Sequence, residues 1–167
     1  LDQFLWEKTN RRTDRYGGDA ASRTRMAADI VRECRAAVGP EFPVFLRFSQ
    51  WKVADYNARP MTTPEELEQF LAPLTDAGVD LFDCSTRRFW QHEFAGSDLN
   101  LAGWTKKLTG KPTITVGSVS MDLDVMQSLR PDGAAEDRNA GLGNIARLVE
   151  MLERGDFDLV ALARPLL

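Results

Sequence analysis

Three short apolar segments of the chain each run directly into residues that could bind an anion. Segment 44–46 is followed by Arg47, segment 114–116 by Gly117 and Ser118, and segment 157–163 by Arg164. An arginine is a permanent cation that forks onto a phosphate, and a glycine turn brings backbone N–H groups close to a ligand. Because the carboxyl ends of parallel strands meet at one edge of a sheet, the pattern indicates a site for a phosphorylated ligand.

Helix signals alternate with these apolar segments along the whole chain. Strands are predicted over residues 43–49, 79–85, 113–116 and from 157 onward, and their apolar character predicts cover by helices on both faces. Helices are predicted over residues 22–37, between Thr63 and Gly78, and over 101–108, 122–129 and 144–154. This alternation is typical of a parallel α/β sheet with right-handed crossovers.

Start and stop residues support two of these helices. Asp19 or Ser22 could cap the first, and Thr63-Pro64 with Glu66 is a strong start for the second. Apolar residues at helical spacing predict the buried faces of the first and last helices. These faces are Met26, Ile30, Val31, Cys34 and Val38, and Ile145, Leu148, Val149 and Leu152.

Composition restricts the class of protein. The chain has 167 residues, 43% hydrophobic and 28% charged, which suits one domain with a sizeable core. A net charge of −4 argues against a general nucleic-acid binder, and no apolar stretch approaches the ~20 residues that span a bilayer. Two cysteines and a single histidine predict neither a disulfide framework nor a metal site. We therefore expect a soluble, cytoplasmic protein.

The two ends of the chain and its number of repeating units suggest part of a larger barrel. The chain begins without Met and stops directly after a predicted strand, so we expect a piece of a longer protein. Four β/α units are half of a (β/α)₈ TIM barrel. The alternative is an open, doubly wound sheet, which usually has a glycine-rich loop after its first strand. That loop is absent here; Gly141-Leu142-Gly143 is interpreted as a turn, within a predicted insertion over residues 130–143.

A motif near the start of the chain resembles a known family. The segment Asn10-Arg11-Arg12-Thr13-Asp14-Arg15-Tyr16-Gly17-Gly18, followed by Arg23-Thr24-Arg25-Met26, is similar to the N-x-R-T-D-x-Y-G-G…N-R-x-R-F signature of the old yellow enzymes. Those are FMN-dependent NAD(P)H:flavin oxidoreductases built on a (β/α)₈ barrel. The resemblance implies that residues 1–167 are the C-terminal half, strands five to eight, of a single FMN-binding domain.

The resemblance also implies roles for the residues at the strand ends. Arg47 matches the arginine that reaches the flavin pyrimidine edge, near N1 and O2. Gly117 and Ser118 match the turn whose N–H groups take the flavin phosphate. Ala163 and Arg164 match a Gly-Arg pair whose arginine forks onto that phosphate, with alanine here in place of the usual glycine.

Residues in the loops have two interpretations each. Arg88, which follows the sixth barrel strand with Ser85 and Arg87, could contact a substrate or a nicotinamide phosphate, or could simply be solvated. Aromatic residues could line a substrate pocket or close the cores of their own loops: Trp51, Tyr56, Phe89 and Trp90. His92 is interpreted as a loop residue and Cys84 as a core residue.

The activity implied by the resemblance is hydride transfer from NAD(P)H through FMN to an activated alkene. The His-His or His-Asn pair that polarises the substrate and the tyrosine proton donor are expected upstream of Leu1, together with the N-terminal half of the barrel, so no catalytic residue is assigned. A following iron–sulfur segment and a homo-oligomer are left open. One alternative is a non-catalytic half-barrel scaffold that binds phosphate weakly and whose open edges drive dimerisation. Another is a (β/α)₈ enzyme for a different phosphorylated ligand.

Overall fold

The computed structural model describes residues 1–52, 55, 57–120 and 144–162. Its elements in chain order are α1 Asp2–Leu5, α2 Ala20–Val38, β1 Phe45–Ser49, α3 Pro64–Asp76, β2 Leu81–Ser85, α4 Leu101–Thr109, β3 Thr113–Val116, α5 Ile145–Glu153 and β4 Leu159–Val160. The strands form one parallel sheet in the order β1-β2-β3-β4. The predicted alternation of strands and helices is confirmed, whereas the predicted helix 122–129 and insertion 130–143 lie outside the described residues.

The register of the sheet divides its side chains into two faces. Arg47 pairs with Asp83, and Asp83 pairs with Ile114, so these three residues share one face, here called the open face. Residues of the other face lie in the core, namely Phe48, Phe82, Cys84, Thr113 and Thr115.

Helices α3 and α4 pack on the core face of the sheet. The ring of Phe48 in β1 lies 5.1 Å from that of Phe70 in α3, and Asn100 at the start of α4 donates to Thr115 Oγ1 at 3.2 Å. On the open face, Phe45 is 59% exposed and Leu159 is 52% exposed. The prediction of helices on both faces is therefore wrong for the described part of the chain. The strands are apolar on both faces because one face of a barrel strand packs inside the barrel.

Local signals account well for the helix ends. Asp19 caps α2 by accepting from the backbone N–H of Ser22 at 2.8 Å, and Thr63 caps α3 by accepting from that of Glu66 at 3.2 Å. Pro64 occupies the start of α3, as predicted. None of the described helices is long and apolar enough to cross a bilayer.

The predicted buried faces of α2 and α5 are largely wrong. Of the five residues predicted for α2, only Val31 is buried, and Ile30 and Val38 are exposed. The buried stripe instead consists of small and polar residues, Ala20, Arg23, Thr24, Ala27, Ala28 and Val31. The buried face of α2 therefore does not follow its larger apolar residues. In α5 the buried residues are Leu148 and Met151.

Candidate functional site

Two charged residues at the middle of neighbouring strands face each other on the open face. Arg47 was expected at a strand end, but β1 continues beyond it to Ser49. Arg47 Nη1 lies 3.5 Å from Asp83 Oδ2, with the Arg47 side chain 57% exposed and that of Asp83 18% exposed. Arg47 was predicted from the sequence, but Asp83 was not. The only signal in the sequence was a carboxylate inside an apolar run, and its pairing with Arg47 follows from the register of the sheet.

The environment of Asp83 is unusual for a carboxylate. Burial raises its pKa because it removes water from the charged form, and the nearby Arg47 opposes this shift. Its Oδ1 atom is buried and has no hydrogen-bond partner within the described part of the chain. Buried carboxylate oxygens are normally bonded, so this atom is an acceptor available to a further group.

The turn after β3 has a backbone conformation that restricts its sequence. Gly117 has φ 147°, and a Cβ there would lie 2.4 Å from the carbonyl oxygen of Thr86. Ser118 and Ser120 have φ of 51° and 56°, in the left-handed region that residues other than glycine rarely occupy. Such strained positions are found preferentially at binding sites.

Contacts with the loop after β2 fix this turn. Gly117 O accepts from the backbone N–H of Phe89 at 3.0 Å, and Ser118 Oγ donates to Arg87 O at 2.9 Å. Thr86 Oγ1 donates to Val116 O at 2.7 Å. The segments that follow β2 and β3 are therefore held together by hydrogen bonds.

Asn144, which precedes α5, holds the same turn from the other side. Its Nδ2 donates to Ser118 O at 2.9 Å, and its Oδ1 accepts from the backbone N–H of Ser120 at 2.9 Å. The backbone N–H groups of Gly117 and Ser118 donate to no acceptor among the described residues. A rigid turn with free N–H groups suits an anion. Sequence reasoning missed Asn144, whose only signal was its position before a helix.

Arg88 and Trp51 lie in the loops beyond the strand ends. Arg88 is half-buried, its guanidinium carbon is 5.8 Å from the Trp90 ring centroid, and its Nε is buried without a hydrogen-bond partner in the described chain. Trp51 lines a cavity of about 20 Å³ together with Glu93. That cavity is large enough for about one water molecule rather than a substrate.

The other loop and strand residues singled out from the sequence have separate places. Phe89 is fully buried in the core, so it closes its own loop instead of lining a pocket, and His92 is exposed in that loop. Cys84 is buried, and burial raises the pKa of its thiol. Tyr56, Ala163 and Arg164 lie outside the described residues. No group of three or more His, Cys, Asp or Glu side chains suited to a metal ion occurs among the residues described.

Comparisons with known proteins identify the family to which the chain belongs. Residues 1–135 match the profile of the NADH:flavin oxidoreductase / NADH oxidase family. The chain belongs to this family of flavin oxidoreductases, which includes the old yellow enzymes.

Individual relatives match different lengths of the chain. An NADH oxidase of Thermoanaerobacter brockii is 33% identical over 158 residues, which are 87% of this chain and 23% of that one. A cinnamate reductase of Clostridium sporogenes is 47% identical over 49 residues, 29% of this chain and 7% of that one. An old yellow enzyme homologue from Zymomonas mobilis matches with a TM-score of 0.64 at 17% identity, over 98% of this chain and 39% of that one. The chain thus spans less than half the length of each relative, and the fold class predicted from the sequence, part of a barrel, is confirmed.

Proposed function

We propose that this chain is the flavin-binding C-terminal half of an oxidoreductase that transfers hydride from NAD(P)H through FMN to an activated alkene. FMN is the cofactor that membership of the family implies. The observation that carries the proposal is the turn 117–120, whose N–H groups at positions 117 and 118 are free among the described residues and whose shape is fixed from two sides.

The residues present fit two parts of FMN, its phosphate and the pyrimidine edge of its ring. The turn at Gly117 and Ser118 suits the phosphate because Gly117 allows close backbone approach and its N–H groups are unpaired within the described chain. Arg47 suits the pyrimidine edge because it places a cation on the open face, at the middle of β1. By sequence, Arg164 adds a bidentate cation for the phosphate, with Ala163 beside it.

Arg47 stabilises negative charge on the reduced cofactor. When bound, FMN supplies the centre that accepts hydride from the nicotinamide and gives it to the acceptor. A guanidinium stays charged at every accessible pH, so Arg47 favours an anionic ring without a proton transfer of its own. A fixed cation aimed at a developing charge is among the strongest contributions that a protein makes to such a step.

Arg88 and Trp51 are proposed for the substrate side of the site. The buried Nε of Arg88, which has no hydrogen-bond partner among the described residues, gives it a donor for an anionic group of the nicotinamide or the acceptor. Trp51 borders the loop that follows β1. The relative named a cinnamate reductase supports an alkene acceptor, since cinnamate contains an alkene conjugated to a carboxylate. A reducing, cytoplasmic location suits Cys34 and Cys84, which are both free.

Anaerobic kinetics of the FMN-loaded protein test this function. We expect NADH or NADPH to bleach the flavin absorbance, and cinnamate or an α,β-unsaturated ketone to restore it with formation of the saturated product. Failure of both nicotinamides to bleach the flavin would contradict the oxidoreductase proposal. Bleaching that only oxygen reverses would remove the alkene acceptor and leave an NADH oxidase.

A further inference from the structure

The carboxylate of Asp83 is the ion-pair partner that the described residues offer to Arg47. The two groups are 3.5 Å apart on the open face, a separation at which the charges attract but no short hydrogen bond forms. The other oxygen of Asp83 is buried and has no donor within the described chain. No other carboxylate in the described chain forms an ion pair with Arg47.

The pair changes the charge that a ligand on the open face experiences. A lone guanidinium acts as a full positive charge, whereas a guanidinium with a carboxylate beside it acts more nearly as a dipole. The Asp83 side chain is largely shielded from solvent, which limits the screening of its charge. Asp83 also restricts where the otherwise exposed Arg47 side chain can lie.

We propose that Asp83 is a positioning residue that sets the reduction potential of bound FMN through Arg47. This inference rests on the proposed function, since it takes Arg47 to face the flavin. The carboxylate holds the guanidinium against the sheet and offsets part of its charge, which keeps the potential more negative than Arg47 alone would make it. Neutralising Asp83 therefore favours the reduced, anionic flavin.

The effect of Asp83 depends on the presence of Arg47. Burial raises the pKa of Asp83, and Arg47 is the group that counteracts this shift. When Arg47 is replaced by glutamine, Asp83 has no guanidinium to hold against the sheet or to offset. The effect that Asp83 exerts through Arg47 is then lost, so we expect the two substitutions to be non-additive.

The test is a double-mutant cycle on the FMN-loaded protein, with Asp83→Asn, Arg47→Gln and the double variant. The midpoint potential is measured by equilibration with a redox dye. For Asp83→Asn we expect at least a tenfold rise in the ratio of reduced to oxidised flavin at a fixed solution potential. This corresponds to about 30 mV for a two-electron couple. In the Arg47→Gln background the same substitution is expected to change the ratio much less.

Controls separate this role from a structural one. Asp80→Asn removes a carboxylate just before β2 that pairs with Arg35 away from the site, and we expect no change of potential. Asp83→Ser is a second neutral variant, expected to shift the potential in the same direction as Asp83→Asn. An unshifted potential in both neutral variants, or an equal shift in the Arg47→Gln background, would overturn the inference.

The FMN content of each protein is measured first, so that the two proposals fail separately. A wild-type protein that binds no FMN overturns the proposed function and this inference together. A wild-type protein that binds FMN and titrates normally, with Asp83→Asn at the same potential, overturns only the role of Asp83.

Discussion

Gly117 is restricted to glycine by two independent features of the turn after β3. Its φ of 147° disfavours any side chain, and a Cβ would collide with the carbonyl oxygen of Thr86 at 2.4 Å. Thr86 cannot easily move, because its N–H and its hydroxyl both donate to Val116 O. The close approach of the two backbones therefore shapes the proposed phosphate site.

Gly117→Ala is expected to lower both stability and FMN affinity. The control is Gly96→Ala, because Gly96 also has positive φ but has nothing within 4 Å of a Cβ. Strained φ costs about 1–2 kcal/mol in each variant, and the collision with Thr86 adds to this only at position 117. Thermal melting and FMN titration of the apoprotein measure the difference. Equal losses in both variants would contradict a special role for the turn.

Asn144→Ala is expected to weaken FMN binding about tenfold. The substitution removes the hydrogen bonds to Ser118 O and from the N–H of Ser120, each worth about 1 kcal/mol, which hold Ser118 and Ser120 in the left-handed region. Fluorescence titration of the apoprotein with FMN and with riboflavin measures the effect. Because riboflavin lacks the phosphate, its affinity should change less. Equal weakening of both ligands would place the effect away from the phosphate.

Arg164→Ala is expected to weaken FMN retention severely, and Arg164→Lys to restore only part of it. Lysine keeps the charge but cannot copy the two parallel hydrogen bonds of a guanidinium. The FMN content after gel filtration measures both variants. Unchanged FMN content in Arg164→Ala would contradict its role at the phosphate.

The candidate site residues that the sequence predicted are those whose type alone carries information. Arg47 after an apolar run and Gly117 at a strand end can be recognised locally. Asp83 and Asn144 depend on partners distant in the chain, through strand register and through a contact across 24 positions. Such pairings follow from tertiary structure, and no local pattern of the sequence specifies them.

Among the elements, helix ends were predicted more accurately than helix faces. The caps at Asp19 and Thr63 use neighbours three residues away, so the local sequence contains the whole signal. The buried face of α2 depends on how this helix is oriented in the tertiary structure. That orientation buries alanines rather than the larger Ile30 and Val38, and it cannot be obtained from spacing alone.

Arg35 joins three parts of the fold at the amino end of the sheet. From α2 it donates to the carbonyl oxygens of Gly39 at 3.0 Å and Gly78 at 2.7 Å, and it pairs with Asp80. We expect Arg35→Met to lower the free energy of unfolding by about 2–3 kcal/mol. Arg25→Met, at an exposed position of the same helix, is the control. Chemical denaturation measures both, and equal effects would show that Arg35 does not join these elements.

Asp80 gives this junction a pH dependence. Its pKa is lowered because its carboxylate accepts from the backbone N–H of Val44 and pairs with Arg35. A carboxyl group with a lowered folded pKa stabilises the fold above its unfolded pKa, and this contribution is lost as pH falls through the lowered folded value. Between ~pH 5 and ~pH 3, the melting temperature of the wild type should fall more steeply with decreasing pH than that of Asp80→Asn. The same dependence of melting temperature on pH in both proteins would contradict a stabilising role for the Asp80 carboxylate.

At the scale of the whole molecule, the described sheet has one covered face and one open face. Phe45 and Leu159 are exposed on the open face, and a cavity of about 310 Å³ opens along the free edge of β1. A (β/α)₈ barrel would pair that edge with another strand and bury that face. We therefore propose that the rest of the relatives' barrel has a counterpart in the protein that contains this chain.

A pair of phenylalanines tests whether the barrel is closed. Phe42 and Phe45 are each 59% exposed in this chain, but only Phe45 belongs to the sheet. In the complete protein we expect Phe45→Asp to cost about 3–5 kcal/mol, as for a core position, and Phe42→Asp to cost much less. Thermal melting of both variants measures this. Equal and small effects would mean that the open face stays exposed.

The central claim, that this chain is part of an FMN protein, is tested most directly by the flavin content of the purified protein that contains it. Denaturation releases a non-covalent flavin, which absorbance quantifies and chromatography identifies. We predict one FMN per chain, either as purified or after incubation with FMN. A protein with no flavin as purified, which also takes up no FMN at saturating concentration, would contradict the account.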